Sequence, residues 1–129
     1  MAQMNYDSET SKLNDYELDK VVPILARCLI NKVGREKATT NSYMVKKLKE
    51  CGYDVNDIRI RKCINYMRTR DVIERLIASH YGYYVTNDAE ELAQYCGTLR
   101  QREEAIANVR MAMEAQLERL KADETMNDK

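Results

Sequence analysis

The sequence predicts a mainly α-helical fold with one small β-hairpin: three helices, two short strands, then a long C-terminal helix. Three observations predict it. Apolar residues recur at spacings of three and four in three successive stretches, separated by glycine or polar links. Val72–Val85 changes character, with β-branched, aliphatic and aromatic residues on both sides of Gly82. From Ala89 to Lys121 only Gly97 interrupts a helix-forming sequence.

Residues 1–14 are polar and acidic and are expected to form a disordered arm. The first helix is expected over Asp19–Val33, with Asp19 as N-cap and Pro23 in its first turn. Val21 or Val22, Leu25, Leu29 and Val33 should face the core, and Gly34 should end the helix. After the connector REKATT, a cap at Thr39, Thr40 or Ser42 opens a second helix over about Asn41–Cys51. Met44, Val45, Leu48 and Cys51 should be buried, with Lys46, Lys47 and Lys49 on or near the solvent side and Gly52 as the stop.

The third helix starts near Asn56 or Asp57 and ends near Arg70. Ile60, Cys63, Ile64 and Met67 make one narrow apolar stripe, while Ile58, Arg61, Lys62, Asn65, Tyr66 and Thr69 lie opposite. No acidic residue occurs from 58 to 70, which a merely solvated helix face would not require. In the hairpin, Ile73, Arg75 and Ile77 are expected on one face and Glu74, Leu76 and Ala78 on the other. Thr86, Asn87 or Asp88 caps the last helix, whose Glu90 and Glu91 suit its positive N-terminal end. Leu92–Leu99 is expected to cover the core, and the last residues to fray. Leu92, Leu99, Ile106, Met113 and Leu120 recur at sevens. Tyr95 or Cys96, Val109 and Leu117 fill part of a second seam, which Arg102 and Glu103 break. Two readings of this helix stand: pairing with a second copy, or packing back on its own chain.

Composition narrows the class. A chain of 129 residues fits one compact domain with an arm or tail. No apolar run approaches the ~20 residues that span a bilayer, and no signal peptide is visible, so a cytoplasmic protein is expected. Cys28, Cys51, Cys63 and Cys96 form no C-x-x-C pair, and each is expected to be a reduced, buried small hydrophobe. With one histidine, His80, no metal or other cofactor is expected. No Walker loop, H-E-x-x-H, G-x-S-x-G or dinucleotide fingerprint occurs, so no enzyme is expected. The net charge is zero, yet residues 27–70 hold 12 Lys/Arg against 4 Asp/Glu. A polyanion would meet that basic middle rather than the average.

The order of elements resembles a winged-helix domain, a helix-turn-helix with a β-hairpin wing. Residues 60–85 are similar in wording to the biotin-repressor-like group, whose third helix reads roughly R-x-x-I-x-x-L-R before a hairpin closing on G-Y. Here Arg61, Ile64, Met67 and Arg68 stand in those places, and Gly82-Tyr83 closes the hairpin. The chain also resembles small phage-encoded winged-helix proteins, over about residues 20–102. The resemblance implies a winged-helix domain at 15–88 and a helical segment at 89–129. It also implies binding to double-stranded DNA in a bacterial or phage-infected cell, in transcription or replication control. Two links depart from the pattern: CGYDVNDI is long, and Thr69–Val72 lacks the usual glycine.

With the third helix in a major groove, Arg61 and Lys62 suit guanine O6/N7 or phosphate, Asn65 suits adenine, and Tyr66 and Thr69 suit phosphate or a thymine methyl. Arg35, Lys37, Lys46, Lys47 and Lys49 would cross the backbone, and His80 and Tyr81 would sit at the wing tip. A homodimer through Ile106, Val109, Met113, Leu117 and Leu120 would match a palindromic site. The alternative is a protein-interaction adaptor that uses the C-terminal helix.

Overall fold

A computed structural model of the chain describes residues 12–127. It is mainly helical, with a two-stranded antiparallel hairpin and a long C-terminal helix. The chain divides into two units, one through Leu92 and one from Ala93 onward. The expected acidic arm lies outside the described residues up to position 11; Leu13 is already buried in the core.

Helix begins before Asp19. Asn14 and Glu17 form a reciprocal capping box: Glu17 N–H donates to Asn14 Oδ1 (2.8 Å) and Asn14 N–H to Glu17 Oε1 (2.9 Å). Pro23 therefore falls well inside a helical run, where its ring would collide with a carbonyl of the preceding turn. That turn, Glu17–Val21, is π-helical, and the widening accommodates the proline at the start of α1 (Val22–Ile30). Val21, Val22, Leu25 and Leu29 face the core as their spacing predicts.

Gly34 is not the stop. α1 ends at Ile30, because the residues after it spend their backbone groups on the hairpin: Val85 N–H donates to Lys32 O (2.7 Å), and Gly34 N–H to Val85 O (2.9 Å). Val33 consequently bridges Val85 and is partly exposed rather than buried in a helix face.

α2 (Asn41–Glu50) is capped by Thr40, whose hydroxyl oxygen accepts from Tyr43 N–H (3.1 Å). Gly52 closes it at φ +91°, with Tyr53 N–H donating to Leu48 O and Gly52 N–H to Lys49 O. Met44 and Leu48 are buried and Val45 half-buried, but Cys51 is exposed at the helix end. The long link then buries Val55, and Asn56 caps α3 (Asp57–Thr69) by accepting from Arg59 N–H (2.8 Å). Ile60, Cys63, Ile64 and Met67 all lie in the core, and such burial contributes about 1.5–3 kcal/mol per large side chain. The missing glycine is replaced by Asp71 at φ +58°, which lets Val72 N–H bond back to Met67 O (2.9 Å).

The hairpin is shorter than VIERLIAS suggests. β1 (Leu76–Ser79) pairs with β2 (Gly82–Val85) across the two-residue turn His80-Tyr81. Residues 73–75 are not strand, since Arg75 sits at φ +62° and its carbonyl accepts from Thr86 N–H (3.0 Å). The expected alternation therefore holds over Leu76–Ala78 and fails over Ile73–Arg75. Leu76 joins Val85 in the core, Ile77 and Tyr84 pair on the other face, and Ile73 is buried from the turn. The outer edge of β2 is taken by the connector: Thr39 and Tyr83 exchange two backbone hydrogen bonds (2.8 and 3.0 Å). Gly82, at φ +119°, permits this approach, because a Cβ there would lie 2.4 Å from Thr39 O.

Asp88 caps α4 (Ala89–Asn127), accepting from Glu90 N–H (2.9 Å). The helix passes Gly97 and Lys121 without a break, and the remaining expected fraying, at 128–129, lies outside the described residues. Leu92, the last residue of the first unit, is half-buried, and Leu99, in the second unit, is exposed. All four cysteines are free; Cys63 is buried and Cys28 half-buried, while Cys51 and Cys96 are exposed, against the expectation for all four.

Candidate nucleic-acid interface

α3 is anchored by one face and exposed to solvent on the other. Ile58, Arg61, Asn65 and Thr69, spaced 3, 4 and 4 apart, are exposed and form a stripe opposite the buried one. Ile58 keeps 40% of its surface in solvent although it is a large aliphatic residue.

Lys62 does not belong to this stripe. One residue on from Arg61, it turns toward the Glu17 turn, and its Nζ lies 2.9 Å from Glu17 Oε1. Glu17 is 2% exposed and also receives Arg59 Nε at 3.1 Å. Burial pushes the Glu17 carboxyl upward, but the Asn14 N–H, Lys62 and Arg59 outweigh it and hold the group below its ordinary value. Arg59 further donates to Asp54 O (2.7 Å) and stacks over Tyr16. Lys62 is thus a structural counter-ion. Tyr66 likewise leaves the expected set: it is half-buried against the core, with Arg70 4.8 Å above its ring. The Thr69 hydroxyl donates to Asn65 O (2.9 Å) within its own helix, so its donor is already used.

The connector and α2 supply the remaining cations. Lys37, Lys46 and Lys49 are exposed and carry no partner among the described residues. Lys47 is held by Glu50 (3.7 Å) and lies over Tyr43. The helix N-termini meet where Asn41 Nδ2 donates to Asp57 O and Oδ1, both at 3.3 Å. The Thr39–Tyr83 pairing brings the connector to the hairpin, so Arg35 lies over the Tyr81 ring (5.7 Å), which in turn stacks on His80 (4.0 Å). Arg35 is also drawn toward Tyr84 and toward Glu91 (3.9 Å), and Tyr84 O–H donates to Glu91 Oε2 (3.0 Å). Arg75, at the base of the hairpin, is occupied with Glu74, Thr86 O and Asn87.

No family model, no curated protein and no solved structure matches the chain. The site is therefore read from its own chemistry. Among the described residues no group of three or more His, Cys, Asp or Glu is placed to hold a metal ion, and no helix is long and apolar enough to cross a membrane.

Arg61 and Asn65 stay on the exposed stripe, Arg35 joins His80 and Tyr81 at the hairpin tip, and Lys37 and Lys46 stay accessible. The expected set omits Ile58. For Ile58 the signal was available: an aliphatic residue two positions before Ile60, on the polar side of an amphipathic helix. For Glu17, no local pattern links it to residues 42 and 45 positions later.

Proposed function

We propose that residues 13–92 form a winged-helix domain that binds double-stranded DNA as a transcription or replication regulator, working as a homodimer through α4. α3 enters the major groove; the hairpin lies on the backbone or in the minor groove. The observation that carries the reading is the solvent-exposed stripe Ile58–Arg61–Asn65 on a helix whose reverse is core. Arg61 offers a bidentate donor to guanine, Asn65 a donor and acceptor to adenine, and Ile58 an apolar contact to a thymine methyl. Lys37, Lys46 and Lys49, without a partner among the described residues, suit flanking phosphates. The element order and the Thr39–Tyr83 pairing, which ties the hairpin to the start of α2, agree with a winged helix.

Fluorescence anisotropy on duplexes selected from a random pool tests the proposal. The expected result is salt-dependent binding that Arg61→Ala/Asn65→Ala abolishes for the selected sequence. Absence of binding to any duplex at low salt would instead favour the adaptor reading, which the exposed apolar residues of α4 independently support.

A further inference from the structure

α4 carries an apolar row that no part of its own unit covers. Ile106, Val109, Met113, Leu117 and Leu120 are all large and exposed, from 47% at Leu117 to 70% at Ile106. A row of this kind on a helix of 39 residues needs a partner surface of matching period. We propose that the partner is the same helix of a second copy, wound parallel and in register from Leu99 to Glu124. The inference rests on the homodimer reading above and adds its orientation.

Three features favour this pairing. The first is the sorting of residues between the two seam rows. One row reads Leu99, Ile106, Met113, Leu120; the other reads Tyr95, Arg102, Val109, Gln116, Asp123, and Leu117 flanks the seam next to Gln116. In a parallel pair each layer meets itself, so Leu faces Leu, Ile faces Ile, Val faces Val and Met faces Met. Gln116 then faces Gln116, an amide pair that fixes register in the way a seam asparagine does. An antiparallel pair sets one row against the other, placing Arg102, Gln116 or Asp123 across from Leu, Ile or Met and leaving polar groups without partners.

The second feature is charge. Arg110 pairs with Glu114 (2.8 Å) and Lys121 with Glu118 (3.8 Å) along the helix itself. Arg119 and Glu124 have no ion pair among the described residues. They are five apart and flank the seam on opposite sides, at the g and e positions that meet between chains of a parallel coil. Two-fold symmetry makes two such bridges. The third feature is length: three heptads separate Leu99 from Leu120, about 32 Å of helix at 1.5 Å per residue, which reaches the span that sustains a coiled coil. Arg102 and Asp123 are the two layers that repel their twins, one near each end of the paired segment, and the layers between them are apolar or amide.

The full-length chain decides the matter. Sedimentation equilibrium should give a dimer; a monomer at tens of micromolar would overturn both this inference and the dimer part of the proposed function, while DNA binding is measured separately. Orientation is read by disulfide trapping with oxidised glutathione after Cys28, Cys51 and Cys96 are changed to Ser; Cys63 stays, its thiol buried and pushed up to about 12. Arg102→Cys and Gln116→Cys, tested in separate proteins, spare the apolar layers. Both should yield covalent dimers, because only a parallel in-register pair lets two distant positions each meet themselves. Trapping at one site only, at neither, or only between the two variants when mixed would overturn the orientation while leaving the dimer standing. Arg119→Glu should weaken dimerisation about tenfold, and Arg119→Glu with Glu124→Arg should restore it. An unchanged dissociation constant in the single variant would overturn the assigned bridge.

Discussion

Arg61 and Lys62 follow one another on α3, yet a step of ~100° along the helix separates their surroundings. Arg61 faces outward, whereas Lys62 shares with Arg59 the neutralisation of a buried carboxylate. Substitution should therefore separate binding from stability. Arg61→Ala or Asn65→Ala should cost about tenfold to hundredfold in affinity for a selected duplex while leaving the urea midpoint unchanged. Lys62→Met should do the reverse, lowering stability by about 1–3 kcal/mol at neutral pH because Glu17 loses a charged partner. Glu17 is held below its ordinary value, so the unfolded chain binds the proton more readily. Its contribution is complete above the unfolded-state value near 4.5 and is lost as pH falls through the lower folded-state value. The penalty of Lys62→Met should accordingly shrink in acid, and equal penalties at about pH 7 and pH 3 would contradict the assignment. The buried stripe of α3 was legible from its period alone. The fate of Lys62 was not, because its partner lies 45 positions upstream, ahead of the start expected for the first helix.

At the scale of elements, the three helices, the hairpin and the long last helix were all visible in the periodicity, but their ends were set by remote pairing. Gly52 ends α2 as a local glycine signal says it should; Gly34 does not end α1, because Val85, some fifty residues later, claims the backbone groups on either side of Val33. Likewise the strand character of Val72–Arg75 yields to a left-handed Arg75 whose carbonyl is bound by Thr86. The two glycines should respond differently to alanine. At Gly52 nothing lies within 4 Å of an added Cβ, so Gly52→Ala should cost about 1 kcal/mol, the price of a left-handed residue. At Gly82 the added carbon meets Thr39 O at 2.4 Å, and backbone cannot swing aside as a side chain does. Gly82→Ala should therefore separate hairpin from connector, costing about 3 kcal/mol or more, with loss of amide protection at Thr39 and Tyr83 in hydrogen exchange. Conversely, Asp71→Gly should raise stability by about 0.5–1 kcal/mol by removing the left-handed penalty after α3. A Gly82→Ala variant no less stable than Gly52→Ala would show that the connector is not held as described.

For the whole molecule, zero net charge conceals a basic middle, and folding refines that contrast. Glu17 takes up Arg59 and Lys62, and Glu50 takes up Lys47, so fewer cations remain for a ligand than the 12 Lys/Arg of residues 27–70 suggest. Lys37, Lys46, Lys49, Arg35, which Glu91 meets only at 3.9 Å, and the exposed face of α3 remain as the surface a duplex would neutralise. About five phosphate contacts per domain give a slope of log affinity against log salt near −4 to −5, and roughly twice that for a dimer engaging two half-sites. If α4 serves dimerisation and not DNA, as proposed, ending the chain after Leu99 should produce a monomer whose slope falls by about half, with the remaining affinity still dependent on Arg61. The two readouts are independent: sedimentation reports the coil, and the salt slope reports how many basic domains share one duplex. A truncated chain that sediments as a monomer yet keeps the full slope would mean that a single domain already makes every phosphate contact. The second copy would then contribute nothing to DNA binding, and the dimer would have to serve a different partner.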